Sequence, residues 1–255
     1  MARFIIGVFA AALLTAVGAG PSAGSPGDPL DSRIPPQLSG FAPADSGAAA
    51  CERYVNKRAT LFPLMCVMKC SVNFASAVSK GYSYDTNQCE TDPSHGCTTQ
   101  YGRAMDKING GQCPACLDAT ARNAVYEPTF HDIAKSFKDL IYCDSTNAVP
   151  FSDGHGYASN NEGIAKCQIK VARDVNKAIK CLKLKCHQKV AEALLWGKPV
   201  HLVDCENACR ERFIASTADL GGCPQSCLGV PARTENLFDA IKLALDTENG
   251  DIYCQ

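Results

Sequence analysis

Sixteen cysteines constrain the fold of this chain more than any other feature of its sequence. They fall into two groups of eight, namely Cys51, Cys66, Cys70, Cys89, Cys97, Cys113, Cys116 and Cys143, then Cys167, Cys181, Cys186, Cys205, Cys209, Cys223, Cys227 and Cys254. An even number of cysteines predicts structural disulfides when the compartment is oxidising. All sixteen are therefore candidate disulfide cysteines.

The residues between the cysteines show that the two groups arose by duplication. Lys69-Cys70 corresponds to Lys185-Cys186, Gly81 corresponds to Gly197, and both groups end in Ile-Tyr-Cys. Ordered agreement of this kind indicates an internal repeat. We call 51–143 the first repeat and 164–255 the second repeat, and predict one eight-cysteine helical module for each.

The second repeat reads as helical. Residues 164–196 contain neither Gly nor Pro, and their apolar residues recur with a helical period. Gly197 ends this helix, Asp204 is expected to cap a second, and a third is expected from about Thr234 to Leu245. The first repeat follows the same pattern, except that Pro63 should kink or break its long helix.

These patterns predict an all-α fold made of two tandem copies of one module. Each copy is a disulfide-stapled helical hairpin with a third short helix, since strand-like alternation is scarce in both. Residues 144–163 join the copies and, being polar and aperiodic, are expected to form an exposed linker.

Helical rise suggests how the cysteines pair. Cysteines of two antiparallel helices come level when equal numbers of residues separate them. This predicts the bridges Cys186–Cys205, Cys181–Cys209, Cys167–Cys223 and Cys227–Cys254 in the second repeat, and Cys70–Cys89, Cys66–Cys97, Cys51–Cys113 and Cys116–Cys143 in the first. Cys181 and Cys186 are five residues apart and do not share a face of a regular helix, so either a local bulge or a swapped pair is open there.

The N-terminus predicts export. Residues 1–19 contain Arg3, an apolar run and small residues before a cleavage site, as signal peptides do. Residues 20–50 are rich in Pro, Gly and Ser, so a flexible linker is expected there. We therefore expect a secreted or periplasmic protein that is not transmembrane after signal cleavage.

The basic residues of the second long helix form the most specific candidate contact surface. Steps of four and three place them on one helix face, which we call the basic stripe: Lys166, Lys170, Arg173, Lys177 and Lys180. Such a row can contact an anionic surface or a protein partner, although a solvated helix face has the same pattern. A net charge of −1 argues against a nucleic-acid partner.

Three motifs suggest chemistry but have simpler structural explanations. Cys181-x4-Cys186-His187 has the form of a haem-attachment motif, and Cys113-x2-Cys116 has that of a thiol-exchange motif. A Cys-x2-Cys pair beside His95 or His131 would suit zinc. None of the three motifs is complete in both repeats, so we predict no catalytic residue, no cofactor and no metal.

The second repeat also resembles a known kind of domain. Lys-Cys-His at 185–187, Cys-Glu at 205–206, Phe213, Gly-Cys-Pro at 222–224 and Ile-Tyr-Cys at 252–254 are similar to a cysteine-rich domain of uncharacterised exported bacterial proteins. The first repeat matches more loosely, with Ser71 in place of His187. The resemblance implies no activity.

Three functional hypotheses follow. The leading one is an exported, non-enzymatic binding or structural protein. The alternatives are an electron-transfer or thiol-redox protein and a carrier of small apolar ligands.

Overall fold

The computed structural model describes residues 46–108 and 113–253, and these lie within one compact unit. Helices dominate, and the described residues contain a single two-stranded sheet. The predicted all-α class is therefore confirmed. The expected signal peptide, most of the expected linker over 20–50 and Cys254 lie outside the described residues.

The first repeat begins with a helix of 33 residues, Ser46–Val78. It consists of α1 (Ser46–Ala59), a π-helical turn (Thr60–Cys66) and α2 (Val67–Val78). Ala48 and Ala49 are buried, so ordered structure starts before residue 51, within the predicted linker. Of the kink or break expected at Pro63, the break is wrong, because the helix continues to Val78. Pro63 lies inside the π turn, whose altered hydrogen bonding accommodates a residue without an N–H group.

The rest of the first repeat folds back along this helix. The returning segment consists of α3 (Thr86–Thr91) and α4 (Cys97–Met105). It is followed by a 3₁₀ turn (Ala115–Leu117), α5 (Ala119–Ala124), a second π turn (Val125–Phe130) and α6 (His131–Ile141). The third helix of the repeat is therefore α6, which begins directly after that π turn.

The segment between the repeats is more ordered than its composition predicts. It forms the antiparallel strands β1 (Ala148–Pro150) and β2 (Tyr157–Ser159). Phe151 is buried, and its ring centroid lies 4.6 Å from that of Phe74 and 4.9 Å from that of Tyr142. Most residues over 144–163 are exposed, as expected, but Phe151, Gly156, Ala158 and Ser159 are buried, so the segment is not an exposed linker throughout. The periodicity of apolar residues does not reveal a segment that is held by one buried aromatic residue between two short strands.

The second repeat repeats this arrangement. Its long helix consists of α7 (Glu162–Lys180), a π turn (Cys181–His187) and α8 (Gln188–Leu195). The remaining elements are α9 (Leu202–Thr217), α10 (Gln225–Leu228), a π turn (Ala232–Asn236), α11 (Leu237–Thr247) and a 3₁₀ turn (Glu248–Asp251).

Local signals explain most of these boundaries. The side chain of Asn161 caps α7 by accepting hydrogen bonds from the N–H groups of Gly163 and Ile164. Gly197 has a φ of +59° after α8, as predicted for a helix stop. Asp204 is not the cap of α9, because the helix already begins at Leu202 and Asp204 lies in its first turn.

The two long helices pack against each other in opposite directions. Helix α1 packs on α8 and α2 packs on α7. An ion pair between Arg53 and Glu192, with N–O 2.9 Å, joins one end of the contact. Asn56 lies one turn further along α1, and its amide donates to the buried carbonyl of Lys183 at 3.0 Å. The repeats therefore share one core rather than building two.

Corresponding residues make the same contacts in both repeats. Tyr142 and Tyr253 of the Ile-Tyr-Cys motifs are both fully buried. Arg122 donates to the carbonyl of Leu117 at 2.7 Å, and Arg233 donates to that of Leu228 at 3.0 Å. The sequence repeat is thus also a structural repeat.

Six of the eight predicted disulfides are confirmed. They are the bridges between each long helix and the segments that follow it: Cys51–Cys113, Cys66–Cys97, Cys70–Cys89, Cys167–Cys223, Cys181–Cys209 and Cys186–Cys205.

The predictions Cys116–Cys143 and Cys227–Cys254 are wrong. Cys143 is bonded to Cys227, so a covalent bridge joins the repeats. Cys116 is disulfide-bonded as well. Because both repeats have the same spacings, sequence separation cannot distinguish a partner in the same repeat from its counterpart in the other. The two repeats are therefore not separately cross-linked halves.

The π turns explain the unequal cysteine spacing. The outer cysteines of each long helix, Cys51 and Cys70 or Cys167 and Cys186, are equally far apart in sequence. The π turn precedes the middle cysteine, Cys66, in the first repeat. In the second it starts at the middle cysteine, Cys181, and so contains the five-residue step. Of the two alternatives left open by the sequence, the local bulge is confirmed.

One helix among the described residues, Ser46–Val78, is long and apolar enough to cross a membrane. Half of its most apolar window is buried inside the protein. Its cysteines are bridged to following segments, as in the core helix of a soluble protein. The expectation of a chain that does not span a membrane after signal cleavage stays a prediction.

Candidate anion-binding site

The basic stripe lies on α7, where all five side chains are exposed or half-buried. Lys166 is 2.7 Å from Glu162, its neighbour one turn back. Lys170 and Lys177 both pair with Asp174, whose side chain is 1% exposed. Three of the five stripe cations are therefore paired with two acidic side chains, and the stripe is not one continuous cationic surface.

Beyond these pairs, the C-terminal end of the stripe opens into a groove between α7, the following π turn and α9. Its volume is about 320 Å³. Four cationic side chains line it: Lys177, Lys180, Lys185 and Arg212. We call this feature the basic groove.

The Cys181–Cys209 disulfide fixes the floor of the basic groove together with Ala178 and buried Phe213. Lys185 follows Cys181 by four residues and Arg212 follows Cys209 by three, so both lie about one turn from the bridge. Because the two helices are antiparallel, Lys185 and Arg212 lie on opposite sides of the bridge, and both line the groove above it.

Sequence reasoning placed Lys177 and Lys180 on the stripe but missed Arg212. The available signal was the predicted Cys181–Cys209 bridge, which fixes the register of α9 against α7. Once that register is applied, Arg212 follows as the cation opposite Lys180.

Charge in the basic groove is unbalanced. Asp174 is its single acidic lining residue, and it already pairs with Lys170 and Lys177. Among the described residues, Lys180, Lys185 and Arg212 have no ion-pair partner. Clustered cations beside an apolar floor attract an anionic group, and the Arg fork suits a carboxylate, sulfate or phosphate.

Nothing in the basic groove provides a nucleophile with a base. Its one hydroxyl, Ser216, donates to the carbonyl of Phe213 at 2.9 Å. No histidine lines it, and its two sulfur atoms are joined in a disulfide.

The cysteine motifs considered for redox and haem chemistry are occupied by bridges. Cys181 and Cys186 bond to two different residues of α9, so both sulfur atoms that a haem attachment would need are used. Cys113 is bonded to Cys51, so it does not form the Cys113–Cys116 disulfide that a thiol-exchange motif requires.

Two clusters of cysteines have the proximity of metal ligands. They are Cys66, Cys70 and Cys97, and Cys186, Cys205 and Cys209. Every one of these sulfur atoms is in a disulfide, so neither cluster offers thiolates. His95 is exposed, and His131 contacts Glu90 at 3.1 Å rather than a cysteine.

A third cluster combines a histidine with two carboxylates in the second repeat. The Nε2 atom of His187 lies 3.2 Å from an Asp246 carboxylate oxygen and 3.6 Å from a Glu206 carboxylate oxygen. Lys242 contacts both acids, at 3.2 Å for Glu206. Burial alone would raise the pKa of the Asp246 carboxyl. Hydrogen bonds and charge interactions with His187 and Lys242 outweigh burial and hold this pKa below its usual range.

An open groove of about 660 Å³ lies at the tip of the second hairpin, between α8 and α9. Trp196, the single tryptophan of the chain, lines it and is 66% exposed. The groove is open to solvent, and the hypothesis of a carrier of small apolar ligands stays a prediction.

Comparisons with known proteins add no assignment. No family model, no curated protein and no solved structure matches this chain.

Proposed function

We propose that this chain is an exported, non-enzymatic binding protein that holds an anionic group of a partner or surface in the basic groove. One observation carries the proposal: Lys180, Lys185 and Arg212 converge from two helices and have no ion-pair partner among the described residues. Cations that only solvate a helix face have no reason to converge across a hairpin.

The first repeat supports this interpretation because it has the same bridge without the same charge. Beside Cys66–Cys97, the positions of Lys180, Lys185 and Arg212 are taken by Met65, Lys69 and Gln100. Since one cation is enough for the fold there, the other two in the second repeat are not a requirement of the hairpin.

Rigidity supports it as well. The helices that supply the cations are held by the Cys181–Cys209 and Cys186–Cys205 bridges, one turn apart. Side chains on a cross-linked scaffold lose less conformational freedom on binding than side chains on a loop.

Disulfides throughout the described residues indicate an oxidising compartment, extracellular or periplasmic. The apolar N-terminal segment, with a cleavage site after residue 19, is our proposed export signal. In such a compartment the accessible anions include acidic glycans and lipid headgroups.

The test compares two triple variants with equal charge change. The first carries Lys180→Gln, Lys185→Gln and Arg212→Gln. The control carries Lys57→Gln, Lys80→Gln and Lys107→Gln, which removes three exposed cations of the first repeat. Binding is measured to a sulfated oligosaccharide and to vesicles containing anionic lipid, over a range of salt concentrations.

We expect the basic-groove variant to lose about tenfold or more in affinity, equal to about 1.4 kcal/mol. The control should remain close to wild type, and binding of both should weaken with salt. Equal losses in the two variants would show that only net charge matters and would contradict the proposal. Absence of binding by the wild-type chain to both anionic probes would contradict it too.

A further inference from the structure

The His187 cluster joins three elements of the second repeat. His187 ends the π turn, Glu206 lies on α9, and Asp246 and Lys242 lie one turn apart on α11. The Cys186–Cys205 bridge already joins the first two, one residue before His187 and Glu206, whereas no bridge among the described residues joins α11 to them. His187 is fully buried and Glu206 is 6% exposed. Burying charged groups costs free energy unless they are paired or coordinate a metal.

The two carboxylates divide their oxygen atoms between two sides. Lys242 contacts Oε2 of Glu206 and Oδ2 of Asp246. The other oxygens, Oε1 of Glu206 and Oδ1 of Asp246, face Nε2 of His187. One nitrogen and two oxygens therefore converge, all within 4.8 Å of one another.

These separations match those between the ligands of a tetrahedral ion. Ligand atoms about 2.0 to 2.1 Å from zinc lie about 3.3 to 3.4 Å apart along a tetrahedral edge. The observed distances from Nε2 are 3.2 Å to Asp246 and 3.6 Å to Glu206. Both distances are within a few tenths of an ångström of a tetrahedral edge, and the two carboxylate oxygens lie within 4.8 Å of each other.

An independent observation points to a cation ligand at this place. Oε1 of Glu206 is buried and has no hydrogen-bond partner among the described residues. Leaving a buried carboxylate oxygen without a donor is costly. A divalent ion bound to this oxygen would satisfy it.

The first repeat shows that the fold does not require the cluster. Ser71 stands where the second repeat has His187, and its hydroxyl donates to the carbonyl of Val67 at 3.0 Å. The positions of Lys242 and Asp246 are taken by His131 and Lys135. Only the corresponding acid, Glu90, is kept, so the first repeat has no second carboxylate for an ion.

We propose that His187, Glu206 and Asp246 bind one divalent transition-metal ion of the zinc type, with Lys242 holding the outer carboxylate oxygens. One imidazole and two carboxylates form a donor set that zinc accepts. Hydrogen bonds to the far oxygens orient ligating carboxylates, as outer partners do in metal sites. The ion would tie α11 to the hairpin as a structural cross-link. Asp246 is partly exposed, so an ion can reach the site from solvent.

The test titrates zinc into the oxidised full chain after removal of metals with a chelator. Calorimetry reports the stoichiometry, and cobalt in place of zinc reports tetrahedral coordination by its visible absorption. The variants are His187→Gln, Glu206→Gln and Asp246→Asn. The matched controls are His131→Gln and Glu90→Gln in the first repeat, together with His201→Gln at an exposed histidine.

We expect one zinc ion per chain, a visible cobalt spectrum, and a loss of at least a hundredfold in affinity for each ligand variant. The controls should bind as wild type does. Asp246→Asn alters a partly exposed residue and remains informative if a buried variant fails to fold. If the demetallated wild type takes up no zinc, or if Asp246→Asn binds it as tightly, His187 acts only as an ion-pair partner and the proposal is overturned.

Discussion

Cys143 of the first repeat is bonded to Cys227 of the second, with Cα atoms 6.1 Å apart and a sequence separation of 84. This bridge closes the contact between the repeats, beside the packing of α1 on α8 and α2 on α7. The molecule is therefore held across its internal repeat by a covalent bond as well as by its core.

Replacing both Cys143 and Cys227 by Ser should lower the free energy of unfolding by about 2 to 4 kcal/mol, because the bridge restricts the unfolded chain. Chemical denaturation followed by circular dichroism measures it. A control, Cys70→Ser with Cys89→Ser, removes a bridge of 19 residues separation and should cost less. Mapping Cys143 to Cys116 in the oxidised wild-type chain would contradict the fold described above.

Glu52→Gln should stabilise the protein near neutral pH. Burial raises the pKa of Glu52 to about 7, and its Oε2 atom has no hydrogen-bond partner among the described residues. The folded state therefore holds a proton that the unfolded state releases near pH 4.5. Stability falls as pH rises through this window, by at most about 1.4 kcal/mol per pH unit, and stays low above pH 7.

In the Glu52→Gln variant this slope should disappear, since the amide does not titrate. The second repeat already has an amide, Gln168, at the corresponding position. Urea denaturation at several pH values between 4 and 8 measures the difference, with exposed Glu211→Gln as the control. Parallel pH profiles for wild type and Glu52→Gln would show that burial does not perturb Glu52.

The effect of Lys183→Met on the free energy of unfolding should depend on pH in the opposite sense to the effect of Glu52→Gln. Burial lowers the pKa of Lys183 to about 7. Between pH 7 and 10.5 the unfolded state therefore holds a proton that the folded state has released. The destabilisation by Lys183 is fully present below pH 7 and is lost as pH rises through this window. The variant should therefore gain most over wild type near pH 6 and least near pH 10.

Loss of the hydrogen bond from Lys183 to Asn249, at 2.6 Å, lowers the stability of Lys183→Met at every pH. The pH dependence of the difference, rather than its mean, is the measured quantity. Exposed Lys189→Met should show no such dependence. A constant difference between pH 6 and 10 would contradict a lowered pKa for Lys183.

A compensating pair of edits tests the role of the π turns. Deleting Leu184 shortens the step from Cys181 to Cys186 to that of the first repeat, and moves the outer cysteines out of register. Inserting Ala after Ala178 restores the total length. We expect free thiols after oxidative folding of each single edit and fewer in the double edit, counted by alkylation and mass spectrometry. Full oxidation of both single edits would contradict a register set by the π turns.

Much of the fold was predictable because helical rise fixes which cysteines come level. The six bridges between each long helix and the segments that follow it come from that argument alone. Cys143 was assigned wrongly because duplicated spacings give it two equivalent partners, Cys116 and Cys227. Only the packing between the repeats distinguishes them, and no periodicity encodes it.

The candidate sites were less predictable. Lys183 follows the basic stripe on the same long helix, yet it is fully buried beside Phe130, because the π turn changes the helical phase. Arg212 and Glu206 matter through residues on other elements, so neither stands out by its local sequence. Side chains that come together only in the folded chain have no characteristic spacing in the sequence.

Under the export that we propose for this chain, the bond between Cys143 and Cys227 also sets an order of events. The chain is made from its N-terminus, so Cys116 and Cys143 enter the oxidising compartment before Cys227 does. An oxidant acting on the first available thiols would join them, and that non-native bond must later be exchanged. Maturation of this protein should therefore depend on a disulfide isomerase and finish only after the second repeat has crossed the membrane.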